Sequence, residues 1–168
     1  GLEMSAITIR SVIPEDAKAI AALWNPMIRD SAVTFTSRQK TISGLAQQIK
    51  DCNREGKGFF LAEDSQGVMG FCTYFQFRGG PGYLRTMEHS IILGERARGR
   101  GLGRQLMQTL MSHARAAGVH TLWAGVSGEN PSGIAFHKSL GFSQVAVLPQ
   151  VGYKFDRWMD LVLLQKFL

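Results

Sequence analysis

Residues 96–107 read Arg-Ala-Arg-Gly-Arg-Gly-Leu-Gly-Arg-Gln-Leu-Met, with three glycines and four arginines in the first nine positions and an apolar helical stretch after them. That combination suits the binding of an anion. A helix start presents unpaired backbone N–H groups and the positive end of the helix dipole, and glycine lets the backbone close on a ligand with no Cβ in the way. Two familiar phosphate loops fail on spacing. A GxGxxG fingerprint begun at Gly99 and Gly101 needs a glycine where Arg104 stands. A P-loop begun at Gly94 needs lysine and then serine or threonine where the chain has Arg100 and Gly101. The arrangement present is Arg98-x-x-Gly101-x-Gly103.

Upstream, Glu88 is the lone acid in the apolar stretch Thr86–Leu93. A carboxylate in such surroundings has its pKa raised toward neutrality and can act as a general base, although a glutamate on an edge strand facing water has the same sequence signature. Arg78 and Arg85 frame the loop Gly79–Gly82, with Phe77 and Tyr83 beside them. Arginine forks hold carboxylates through paired hydrogen bonds, and aromatic walls enclose a compact side chain, but solvated loop arginines are common too. His137 lies on a helical stretch where it can donate a proton or simply pack. His113 and His120 carry no signal beyond packing or surface polarity. Cys52, in a polar surface stretch, and Cys72, in a strand, have neither metal-ligand spacing nor a base partner in sequence, and they read as free thiols of a reducing cytosol.

The elements that must position these groups alternate along the chain. Ala6–Arg10 reads as a strand, and Pro14-Glu15-Asp16 as a helix start that Pro26 should end or kink. Ile42, Leu45 and Ile49 mark a second helix stopping before Gly56. Gly58–Asp64 and Val68–Phe77 form a hairpin around Ser65-Gln66-Gly67, and Thr86–Leu93 is the next strand. Leu102, Leu106, Leu110 and Ala114 stripe a helix closed by Gly118. Strand Val119–Val126, helix Pro131–Leu140, strand Phe142–Val147 and a long buried strand Trp158–Leu168 complete the chain.

Gly1-Leu2-Glu3 ahead of Met4 reads as an expression scar, leaving residues 4–168 as a single domain. Hydrophobic content of 45% and charged content of 19% are those of a globular protein. No apolar run approaches the ~20 residues of a membrane span, and no signal peptide is visible, so the expected location is the cytoplasm with no membrane partner. Nineteen Lys and Arg against thirteen Asp and Glu give a net charge of +6. The excess is densest at Arg96, Arg98, Arg100 and Arg104, which favours a local anionic ligand. A nucleic-acid-binding module is the competing class, but the basic run lacks interleaved aromatic residues and a docking motif.

Taken with the strand before it and the helix after it, the Arg98–Gly103 loop resembles the (Q/R)xxGx(G/A) pyrophosphate loop of the GNAT superfamily of N-acetyltransferases. Met87-Glu88-His89-Ser90-Ile91-Ile92 looks like the (V/A)E(H/S)(S/T)VY strand of its phosphinothricin and methionine sulfoximine acetyltransferases. Glu129-Asn130-Pro131-Ser132, with His137 and Leu140-Gly141-Phe142, resembles that subfamily's second coenzyme-contacting helix, and Val151–Asp160 is similar to its VGxKFGRWxD ending. Departures are Asp156, where a glycine is usual, and the displaced Arg85.

The resemblance implies an α/β (mixed α+β) fold: a twisted, mostly antiparallel mixed sheet of six to seven strands with helices on both faces. It implies an acyltransferase using acetyl-CoA and no metal, acting on the α-amine of a small amino-acid-like acceptor, with peptide N-termini or another small amine as the alternative. Direct transfer is favoured over an acetyl-cysteine intermediate. By the same resemblance, Glu88 and His137 are catalytic, the histidine standing where many relatives use a tyrosine to protonate the departing thiolate. Ile91, Ile92, Leu93, Arg98, Gly99, Arg100, Gly101, Leu102, Gly103, Arg104, Asn130 and Ser132 hold the cosubstrate. Phe77, Arg78, Tyr83 and Arg85 hold the acceptor, and the protein is a homodimer that binds no nucleic acid.

Overall fold

The computed structural model describes residues 6–168; the scar at residues 1–3 lies outside the described residues. Among the described residues four α-helices and seven strands form, and the strands make one mixed sheet in the order β1-β2-β3-β4-β5-β7-β6. The mixed α/β architecture read from the sequence is therefore present. By contacts the chain divides into two compact units, residues 6–23, 40–74 and 90–117 in the first and 24–39, 75–89 and 118–168 in the second.

In the first unit, β1 (Thr8–Ser11) pairs antiparallel with β2 (Phe59–Asp64), which pairs antiparallel with β3 (Gly67–Gln76) across a bulge after Ala62. Arg10 fastens the edge by donating to Asp16 at 2.8 Å and Glu63 at 2.7 Å. Leu45 and Ile49 of α2 (Ile42–Arg54) and Leu106, Met107, Leu110 and Ala114 of α3 (Leu102–Ala116) are buried, as their helical spacing requires. Cys52 is not on a polar surface: its thiol is buried and points at the carbonyls of Lys57 and Gly58 and at Thr73 Oγ1. Both cysteines are free thiols.

Helix α1 (Ala17–Asp30) continues past Pro26, so the proline does not end it. The proline sits on the exposed face while Trp24 and Ile28 are buried on the other. Burying those two side chains outweighs the loss of one helical hydrogen bond on the solvent side.

In the second unit, β5 (Thr121–Ser127) pairs antiparallel with β7 (Arg157–Phe167), and β7 with β6 (Ser143–Lys154). The last strand is not buried along its length. Met159, Val162 and Leu164 are buried, whereas Trp158 and Phe167 are exposed. The β6–β7 turn places Phe155 and Asp156 at φ 54° and 57°, a left-handed pair that explains why glycine is the easier residue at position 156. Lys154 is buried and donates to the carbonyls of Ser31 at 2.7 Å and Thr34 at 2.8 Å, and Phe35 occupies the space that a Cβ on Gly152 would need.

Candidate active site

The anion loop is built by backbone. After β4 (Thr86–Leu93), Gly94 donates to the Met69 carbonyl at 2.8 Å, and a short 3₁₀ turn at Glu95–Ala97 leads into Arg98. Gly99 and Gly101 then take φ of 71° and 70°, a conformation L side chains avoid. Gly101 is the N-cap of α3, so no side chain caps the first turn, and its N–H groups are left for a ligand. Nothing lies within 4 Å of a Cβ placed on either glycine: the requirement for glycine is conformational and the space in front of the turn is open.

The arginines of this stretch divide. Arg96 donates to both Asp64 oxygens, at 3.0 and 2.9 Å, and to the Gly67 carbonyl. Arg100 stands 3.9 Å from the same carboxylate. The Arg96 guanidinium holds the Asp64 carboxyl below the usual carboxylate range, so part of the positive charge in the basic run is neutralised by a hairpin residue. Arg98 and Arg104 are exposed. Ile91, Ile92 and Leu93 form the end of β4, with Ile92 buried.

In the second unit the parallel ladder between β4 and β5 pairs Thr86 with Thr121, Met87 with Leu122 and Glu88 with Trp123. Glu88 is half-buried, and among the described residues no group hydrogen-bonds or ion-pairs its carboxylate. Burial alone pushes its pKa up. Strand alternation puts Trp123 and Gly125 on one face of β5 and buried Leu122, Ala124 and Val126 on the other. Phe77 stacks on Trp123 with ring centroids 5.1 Å apart.

The other acceptor residues separate. Gln76 Nε2 donates to the Arg78 and Gly80 carbonyls and so shapes the glycine loop, while the Arg78 guanidinium lies 5.9 Å from the Tyr83 ring centroid. Arg85 is exposed. Its carbonyl accepts from His120 N, and its guanidinium rests beside Gly118 at the turn after α3.

Asn130 is the N-cap of α4 (Pro131–Ser139), its Oδ1 accepting from Gly133 N at 3.0 Å and from Ser132 Oγ at 3.1 Å. His137 is buried within that helix. Its Nδ1 is 2.7 Å from the Gly133 carbonyl, which can only accept, so Nδ1 carries the hydrogen. Its Nε2 is 2.9 Å from His89 Nε2, and two neutral rings satisfy that contact when His89 donates. His89 Nδ1 is then left buried without a partner. Burial holds both imidazoles below their ordinary pKa, the His137 ring adding to the effect on His89. Neutral His137 therefore has no spare N–H.

Sequence reasoning missed His89, Trp123 and Gly125. The signal available for Gly125 was a glycine inside an apolar strand; for His89 there was none, since a partner 48 residues away is set by the fold. Among the described residues no cluster of three or more metal-ligating side chains occurs, and no helix is long and apolar enough to cross a membrane.

The profile described as the acetyltransferase (GNAT) domain matches residues 9–163, and the chain belongs to that family of acetyltransferases. It is 34% identical over 163 residues to the L-methionine sulfoximine/L-methionine sulfone acetyltransferase of Pseudomonas aeruginosa, covering 96% of this chain and 94% of that protein. Among solved structures, an N-acetyltransferase of Staphylococcus aureus superposes with a TM-score of 0.92 at 36% identity, covering 97% of this chain and 99% of that one. A GNAT superfamily phosphinothricin acetyltransferase of Sinorhizobium meliloti, solved in complex with acetyl-CoA, superposes at 0.90 with 28% identity, covering 96% and 88%.

Proposed function

We propose that the chain moves an acetyl group from acetyl-CoA to the α-amine of a small amino-acid-like acceptor of the phosphinothricin, methionine sulfoximine or methionine sulfone type. The observation that carries this reading is Glu88, a half-buried acid with no partner among the described residues and a raised pKa in a family of acetyltransferases. An ammonium has no lone pair, so the acceptor must lose a proton before it attacks, and a carboxylate tuned upward is suited to take it. Glu88 is the base, directly or through one water.

The glycine turn fits the cosubstrate. Acetyl-CoA supplies an activated acetyl group as its thioester. The N–H groups from Gly99 to Arg104 hold its pyrophosphate, with Arg98, Arg100 and Arg104 adding charge, and the backbone of Ile91–Leu93 takes the pantetheine. One amine proton goes to Glu88 before attack; the N–C bond then forms as the C–S bond breaks, and the second proton, lost from nitrogen as the amide forms, neutralises the departing thiolate of coenzyme A. Because His137 has committed its Nδ1 hydrogen to Gly133, we assign it the anchoring of α4, and donation from its Nε2 requires a protonated His89–His137 pair.

Arg78, with Phe77 and Tyr83, is the acceptor's carboxylate and side-chain site; Arg85 beside Gly118 supports the loop. A homodimer is supported by β6, an edge strand whose Val145, Val147, Val151 and Tyr153 are exposed beside Trp158 of β7. Free buried thiols support a reducing cytosol.

The test is coenzyme A thiol release from acetyl-CoA against amino acids, their decarboxylated amines and peptides. Glu88→Gln should keep acetyl-CoA affinity, lower kcat/KM by roughly 10²–10⁴-fold and erase an acidic limb that lies above the usual glutamate range. A near-normal rate with that limb intact would remove Glu88 from the chemistry. Arg78→Ala should cost ~1.5–3 kcal/mol, or ~10–150-fold in kcat/KM, on the amino acid and little on its decarboxylated amine. Equal losses on both would make Arg78 a loop residue.

A further inference from the structure

Strand β5 reads Thr-Leu-Trp-Ala-Gly-Val-Ser, and its glycine is out of place on local grounds. Gly125 is not among the positive-φ residues and pairs regularly with Leu163 of β7, so neither a turn nor a bulge calls for it. A glycine inside a strand weakens it and marks a close approach. What approaches here is the candidate base. A Cβ built on Gly125 would lie 3.3 Å from Glu88 Oε2, 3.9 Å from Glu88 Cδ and 3.5 Å from Leu161 Cδ1. With no hydrogen-bond or ion-pair partner among the described residues, the carboxylate is oriented by packing, and the surface it packs on is the bare backbone of Gly125. Gly125 itself is exposed, which leaves open space next to Oε2.

We infer that Gly125 is a positioning residue for Glu88: its missing side chain is the seat on which the carboxylate lies and the opening through which the acceptor amine, or the water that relays its proton, reaches Oε2. This rests on the assignment of Glu88 as general base. A methyl group at position 125 sits inside the distance that side-chain carbons normally keep, so the carboxylate must give way by a few tenths of an ångström. The same methyl displaces water from the carboxylate and disfavours its charged form.

The experiment compares wild type, Gly125→Ala, Glu88→Gln and the double variant, with kcat and KM measured across pH and acetyl-CoA affinity measured by calorimetry. Gly125→Ala should retain acetyl-CoA affinity, which also reports correct folding, and should lose about 10–100-fold in kcat, the scale expected for a displaced catalytic group. Its acidic limb should move to higher pH. In the Glu88→Gln background the alanine should have no further effect. Gly125→Ala/Leu161→Ala, which removes the second neighbour, should recover part of the rate by giving the carboxylate room to shift. Full activity with an unmoved limb in Gly125→Ala would overturn the inference, and so would a loss that multiplies with that of Glu88→Gln, because the glycine would then act on acceptor fit. A Glu88→Gln enzyme that keeps its rate and its acidic limb would instead overturn the base assignment.

Discussion

In the turn entering α3, Gly99 and Gly101 adopt left-handed φ, and the groups they present are main-chain N–H donors in open space. Within α4, His137 is buried and its polar atoms meet another buried side chain, His89, across the fold of the second unit. The first region gets its chemistry from backbone shape. That shape is encoded locally, because only glycine adopts it cheaply. The second gets its chemistry from desolvation and a distant contact, so the same histidine would be an ordinary titrating surface group on an exposed helix. One region presents donors without a protein partner at its helix start, and the other keeps charge out.

The largest expected effect breaks the first region. Gly101→Glu forces a side chain into φ near 70° and sets a carboxylate at the proposed pyrophosphate site. Like-charge juxtaposition costs several kcal/mol, so acetyl-CoA affinity should fall on the order of 10³-fold in calorimetry. The fold should survive, since an acid at a helix N-terminus favours the dipole. Unchanged affinity would mean that the turn is structural.

The second region is broken by acid. Both imidazoles have native pKa values below the ordinary ~6.5, so the unfolded chain binds protons that the folded one refuses. Stability is then independent of these rings above pH ~6.5 and is lost as pH falls below it, by about 1.4 kcal/mol per pH unit for each ring that stays neutral. Denaturant melts between pH 7 and 5 measure the slope, and His89→Gln should flatten it. An equal slope in that variant would show that the pair titrates freely.

The smallest effect sharpens the division within the loop. Arg96 is held by Asp64 and the Gly67 carbonyl, so Arg96→Gln should leave acetyl-CoA affinity nearly unchanged, whereas Arg98→Gln should weaken it and flatten its salt dependence. A strong loss from Arg96→Gln would show that this arginine leaves Asp64 to reach the anion.

Local physics explains what was legible. Strand Thr86–Leu93 and helix α3 fall where apolar period and glycine punctuation placed them, because period and φ preference are properties of short segments. Pro26 does not end its helix because burial of Trp24 and Ile28 overrode a local rule. Cys52 was misread because a polar stretch can still hide one face. The basic run looked uniformly available because Asp64 lies 32 residues before Arg96, on a hairpin whose partner no period reveals.

The sequence by itself determined the alternation of strands and helices, the glycine turn ahead of α3 and the identity of the acid in β4. Each follows from which φ a residue tolerates, which face it buries and where a lone charge sits. Tertiary structure decided which groups are available for chemistry. It spent Arg96 on Asp64, the His137 Nδ1 hydrogen on the Gly133 carbonyl and the His137 Nε2 lone pair on His89, and it left Glu88 beside Gly125 with no partner among the described residues. Those outcomes depend on desolvation and on contacts between segments far apart in the chain, and both exist only once the sheet has formed.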